Sequence, residues 1–215
     1  MITARIIPLF LAMTLLLALP AYSQAAGKNI DSPAAQFVQK LGDKALTSLT
    51  AQGLPKGERS RRVRTLLREN FDITTIGRFV LGGHWREATD KQRAEYTKLF
   101  ENMIVETYTR RFADYSGQSF KVLGAAPSSG GGDTIVKSQI LQKDGPPVDV
   151  DWRVRDKGGM KIVDVLVDNI SMSVTQRDDF DGVIQAGGGD IEALLSTLRK
   201  RQSGESNTSK QASKH

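Results

Sequence analysis

Cysteine is absent from this 215-residue chain, and histidine occurs only at His84 and His215. Without thiols there is no disulfide, no thiolate metal site and no cysteine nucleophile. His215 ends a polar tail, so a Ser-His-Asp triad would have to use His84, and no G-x-S-x-G elbow accompanies it. A three-histidine zinc site cannot be assembled. Two glycine clusters lack what a phosphate loop requires. Gly130-Gly131-Gly132 precedes a strand pattern rather than a helix, and Gly187-Gly188-Gly189 precedes a helix without the Lys-Ser/Thr pair. Both read as punctuation. Neither a metal nor another cofactor is implied, and most hydrolytic chemistries drop out.

A spanning apolar run is missing as well. The uncharged stretch Ile6 to Leu19 falls short of the roughly 20 residues that a transmembrane helix needs. It follows Arg5 and leads into Pro20 and the small-residue stretch Ala21 to Ala26, the three-part pattern of a cleaved secretory signal. With no Cys after it, a lipid-modified N-terminus is excluded. The expected organisation is a signal peptide at 1–25, one domain at 26–202 and a disordered polar tail at 203–215. An exported domain without disulfides has to be held together by its core.

The most informative segment present is Thr74 to Phe112. Tyr96, Phe100, Met103, Ile104, Tyr108 and Phe112 recur at three- and four-residue steps and stripe one face of a long helix. Thr89 and Gln92 have capping-box spacing, and Asp90 adds a negative charge at the positive helix end. This helix is expected from Asp90 to about Tyr115. Before it, a helix runs from Asp31-Ser32-Pro33 to about Gln52, with Phe37, Val38, Leu41, Ala45 and Leu49 on one side. An arginine-rich helix follows to about Asn70, and a short one, capped by Asp72, ends near Leu81. The formal charge is +6, and its densest positive segment is that second helix. There Arg61, Arg64 and Arg68 line the face opposite Val63, Leu66 and Leu67, as a solvated face or a docking patch for acidic partners or lipid. No aromatic residue interleaves these arginines, which argues against nucleic acid.

Beyond Gly117 the period changes to two. Ser119–Leu123 and Thr134–Leu141 read as strands. From Val148 onward Val150, Trp152 and Val154 alternate with Asp149, Asp151, Arg153 and Arg155, and a further strand covers Met160–Val167. In that last strand Ile162 and Leu166 oppose Val163, Val165 and Val167, so its inward face is ambiguous. Short turns between strands imply an antiparallel meander. Helices are expected from Thr175 to about Ala186 and from Ile191 to Arg201, the second capped by Asp190. The fold class is α+β: a curved antiparallel sheet of about four strands, wrapped by N- and C-terminal helices over its apolar face.

Val80-Leu81-Gly82, Trp85, Ala88-Thr89, Gln92-Arg93, Tyr96, Phe100, Tyr108 and Tyr115-Ser116-Gly117 form one ordered pattern, continued by Asp164, Val165, Asn169-Ile170-Ser171-Met172 and Arg177. From Asp31 to Arg201 the chain resembles the MlaC (toluene-tolerance, Mla-pathway auxiliary) family of periplasmic phospholipid carriers. Asn169 departs from the pattern, which commonly has Gly there; Asn also tolerates left-handed geometry. The resemblance implies an apolar cavity between sheet and helices that takes acyl chains as cargo. Its expected walls are Tyr96, Phe100, Met103, Ile104 and Tyr108 from the long helix, and Val150, Trp152, Val163, Val165 and Val167 from the sheet, with Ile170 at the mouth. Implied partners are an inner-membrane ABC transporter bearing an MCE-domain ring and an outer-membrane lipoprotein–porin complex, with Arg61, Arg64 and Arg68 as the candidate docking surface. A sister group tied to hopanoid biosynthesis shares the architecture. The catalytic alternative is proton transfer by a cavity carboxylate and tyrosine, Asp164 with Tyr108.

Overall fold

The computed structural model describes residues 29–212. The export signal expected at 1–25 and the last three residues of the tail lie outside them.

Local sequence signals open the helices. The Ser32 hydroxyl accepts from the Ala35 N–H at the start of α1 (Pro33–Leu49), with Pro33 at a position whose N–H would be unpaired anyway. Helix α2 (Lys56–Asn70) follows the break at Gly53–Pro55. Asp72 caps α3 (Ile73–Leu81) through the Thr75 N–H. The Gly82-Gly83-His84-Trp85 segment leads into a single helical turn, α4 (His84–Glu87). Thr89 and Gln92 close the full capping box of α5 (Asp90–Ala113).

The sheet is a five-stranded antiparallel meander in the order β1 (Ser119–Pro127), β2 (Asp133–Leu141), β3 (Val148–Asp156), β4 (Met160–Val167), β5 (Ile170–Ser171). The fifth strand, beyond the four expected, is two residues long. It is joined to β4 by Asp168 and Asn169, both at positive φ (49° and 66°), the geometry of a two-residue hairpin turn. Asn169 thus does what a glycine would do there.

Two bulges carry more weight than the turns. Register shifts between Val122 and Gly124 on β1, which lets the strand run past Leu123 to Pro127. Register shifts again where Arg153 and Val154 face Asp164 and Ile162. The second bulge makes Val163 the extra residue, so Ile162 joins Val165 and Val167 on the face shared with Val150, Trp152 and Val154. The ambiguous alternation of β4 is resolved by this switch: its inward set changes parity halfway along.

The opposite sheet face is charged. Arg155 makes two bonds to its cross-strand partner Asp133 (2.7 and 2.9 Å), and Arg153 donates to Ser128. The bond from Arg155 outweighs burial and holds the Asp133 carboxyl below its usual range.

Helix α6 (Met172–Ala186) starts three residues before the expected Thr175, because the Ser171 hydroxyl, accepting from the Val174 N–H, is the actual cap. Helix α7 (Ile191–Ala212) continues past Arg201, where the reading above ended it and placed an unstructured tail. No proline interrupts that polar stretch, and each added helical residue gains one backbone bond. No helix among the described residues is long and apolar enough to cross a membrane.

The helices divide the interior into two apolar regions. One gathers α1, α2, the C-terminal half of α5 and the inner sheet face, including Val38, Leu66, Val136 and Ile162. The other gathers α3, the N-terminal half of α5, α6 and α7, including Leu81, Tyr96, Phe100, Phe180 and Leu195. Ile104 borders both.

Candidate binding cavity

The first apolar region is hollow. A cavity of about 440 Å³ opens between α1, α2, the end of α5 and the sheet, within the size range of small-molecule sites. Helix α1 contributes Leu41, Gly42, Ala45, Leu46 and Leu49, and α2 contributes Val63, Leu66 and Leu67. The sheet supplies Phe120, Ile140, Trp152 and Val165, while Tyr108 and Phe112 come from α5.

Two details hold the walls. The indole N–H of Trp152 donates to the Ser138 hydroxyl (2.9 Å), which donates to the Val150 carbonyl (2.7 Å), so this buried polar chain is satisfied and the ring is fixed. Phe120 packs edge-on against Trp152, with centroids 6.0 Å apart. On its other side Phe120 lies directly against Gly42: a Cβ there would sit 2.3 Å from the Phe120 ring. Glycine at 42 is therefore required for α1 to approach β1 so closely.

Polar groups gather at the rim, where α5 ends: Arg111, Asp114, Tyr115, Gln118, Ser119 and Gln142. The Arg111 guanidinium lies over the Tyr108 ring, 5.8 Å from its centroid. Burial pushes the Tyr108 phenol above its ordinary value, partly opposed by the charge of Arg111. The Tyr115 hydroxyl is tied to the Gln118 carbonyl (2.8 Å), and the Gln118 side chain to Ser116.

Of the expected wall residues, Tyr108, Trp152 and Val165 line this cavity. Tyr96 and Phe100 do not; they stack on one another at 5.6 Å in the second region, with Phe180 edge-on to both. The Tyr96 hydroxyl donates to the Gly77 carbonyl (2.9 Å), and burial raises its pKa strongly. Met103 packs in that same region, and Ile104 borders both regions without lining the cavity. The correction has a plain cause. A helical stripe has one face but α5 is 24 residues long, and different neighbours cover its two halves. Val150 lies on the inner face yet is buried outside the cavity, Val163 is the bulge residue, and Val167 stands at the β5 end of the strand. Ile170 is 58% exposed on β5 and away from the rim.

The walls from α1 and α2 escaped the sequence reading, which gave their apolar faces no part in the cavity. Gly42 and Ala45 one turn apart, on an otherwise leucine-rich face, are the signal that could have marked an open space. The arginine face also reads differently in three dimensions. Arg64 donates to Glu101 (2.7 Å) and Asn102 (2.9 Å), Arg68 donates to Glu101 (2.8 Å), and Arg61 pairs with Glu58 on its own helix. The contacts of Arg64 and Arg68 fasten α2 to α5, while that of Arg61 stays within α2. The catalytic pairing is not assembled: Asp164 accepts from Ser171, Ser173 and the Val165 N–H, bracing the β4–β5–α6 corner away from Tyr108.

Sheet, helices and cavity together define an α+β protein with a ligand-sized apolar chamber open at one end. The family model described as MlaC protein matches residues 39–200, and the chain belongs to the MlaC family. Its fold is similar to a solved phospholipid-binding protein from Ralstonia solanacearum, determined in complex with a phospholipid. The two share 22% sequence identity, the match covers 80% of this chain and 98% of that one, and the TM-score is 0.69.

Proposed function

We propose that this protein is a periplasmic phospholipid carrier. It takes acyl chains into the cavity, keeps the headgroup at the rim, and moves lipid between an inner-membrane ABC transporter with an MCE-domain ring and an outer-membrane lipoprotein–porin complex, maintaining outer-membrane lipid asymmetry. The observation that carries this reading is the cavity of about 440 Å³, apolar along its walls and polar only where it opens. Each buried methylene contributes about 0.8 kcal/mol, so tail burial alone can hold a lipid against water. Membership in the MlaC family and the likeness to a protein solved with a phospholipid support the same conclusion. No covalent step is needed.

The test is native mass spectrometry of the mature protein, with extraction and identification of co-purifying lipid, beside the variant Ala45→Trp. Expected is stoichiometric phospholipid in the parent and its loss from the variant, whose indole would occupy the cavity. A hopanoid would assign the chain to the sister group. A parent that stays empty after incubation with liposomes would overturn the carrier reading.

A further inference from the structure

Arg111 and Asp114 are one turn apart at the end of α5 and both line the rim. Several other charges of this protein are paired: Arg64 and Arg68 on Glu101, Arg93 on Asp90, Arg155 on Asp133, Arg199 on Glu95 and Glu192. Arg111 contacts the Tyr108 ring and makes no ion pair among the described residues. Asp114 makes none either; its backbone N–H closes the helix on the Arg110 carbonyl. Although adjacent on the helix surface, the two are not bridged to each other. Stacking on Tyr108 fixes the guanidinium beside the apolar opening, where it loses little freedom on taking up an anion. Next to it stands one carboxylate.

Such a rim is complementary to a headgroup that carries both signs, and resting on the carrier reading, we propose that Arg111 and Asp114 read a zwitterionic phospholipid headgroup. Arg111 donates to the phosphodiester oxygens nearest the glycerol, and Asp114 accepts from the terminal ammonium. The acyl chains supply most of the affinity, while this pair sets the preference among headgroups. A headgroup with a phosphodiester and no amine satisfies Arg111 and meets repulsion from Asp114. Diacylglycerol engages neither.

The experiment compares delipidated mature protein binding phosphatidylethanolamine, phosphatidylglycerol and diacylglycerol of identical acyl chains, for the parent, Asp114→Asn and Arg111→Gln. The parent is expected to favour phosphatidylethanolamine over phosphatidylglycerol. Asp114→Asn should narrow or abolish that preference, chiefly by improving phosphatidylglycerol. Arg111→Gln should weaken both phospholipids about fivefold more than diacylglycerol, the scale of one solvent-edge charge contact, and the difference should shrink as salt is raised. Both positions are exposed, so the variants should unfold with the parent's midpoint. An unaltered headgroup preference in Asp114→Asn, or equal weakening of all three lipids by Arg111→Gln, overturns the headgroup assignment and leaves the carrier reading standing. A parent that takes up none of the three overturns both.

Discussion

The two halves of α5 meet opposite fates although they come from one continuous apolar stripe. Around Tyr96 and Phe100 the space is filled. Two stacked rings, a third ring from Phe180 and the leucines of α7 pack on one another, and the Tyr96 hydroxyl finds the Gly77 carbonyl. Around Tyr108 and Phe112 the same helix faces open volume, bordered by α1, α2 and the sheet. The filled half packs against helices α3, α6 and α7, whose side chains can interdigitate. The hollow half has a sheet on one side, bent by two bulges and propped by the fixed ring of Trp152. The filled region acts as a frame that stabilises the molecule, so the hollow one need not close.

Truncation should separate the regions most sharply. Phe100→Ala removes a buried ring from the filled region and should cost about 3–5 kcal/mol in urea unfolding. Phe112→Ala, on a wall that already borders a void, should cost less than about 2 kcal/mol while reducing lipid uptake. Equal costs would mean that the cavity collapses around its walls and that the two regions are not different in kind.

Gly42→Ala probes the closest approach of α1 to the sheet. The added methyl overlaps the Phe120 ring, which must move off Gly42 and crowd its edge-on contact with Trp152 at the cavity wall. Overpacking of this sort costs about 1–3 kcal/mol, and the displaced ring should lower lipid capacity as well. Unchanged stability and capacity would show that α1 shifts freely and that the Gly42–Phe120 contact positions nothing. A smaller effect is expected from Tyr96→Phe, about 1 kcal/mol for one buried hydrogen bond, with lipid uptake intact.

The comparison also shows where sequence reasoning works. The helix starts at Ser32, Asp72 and Thr89, the meander and the polar outer face of β3 all follow from local spacing, because caps, turns and alternation act over a few residues. The placement of Tyr96 and Phe100 does not. Periodicity says that a residue is turned inward; which element lies opposite, and whether it arrives, depends on packing between segments far apart in the chain. The β4 strand marks the boundary between the two cases. Its mixed alternation was visible at Ile162 and Val163, but only pairing with β3 reveals that a bulge changes the inward set. Likewise Arg64 and Arg68 were visible as a basic face, while Glu101, more than thirty residues later, was not visible as their partner.

That partner gives the smallest expected effect and a specific one. The wall formed by α2 is tied to α5 by Glu101, whose side chain is 16% exposed and bonded to both arginines. Burial disfavours its charge, but the bonds from Arg68 and Arg64 outweigh that and hold the carboxyl below its ordinary value. A depressed carboxylate contributes stability that is fully present above its unfolded value, about 4.3, and is lost as pH falls through the folded one. Acid should therefore loosen the hollow region through α2 before the filled one, where the Arg199–Glu95 pair between α5 and α7 also loses its charge but is solvent-screened and adds little to apolar packing. Glu101→Gln should remove that part of the acid limb, by no more than about 1 kcal/mol, and weaken lipid retention at neutral pH. Hydrogen exchange of α2 against α7 between about pH 5 and 3 would read the difference directly. If α2 and α7 lose protection together in the parent, the ion pair does not hold the wall, and the two regions unfold as one.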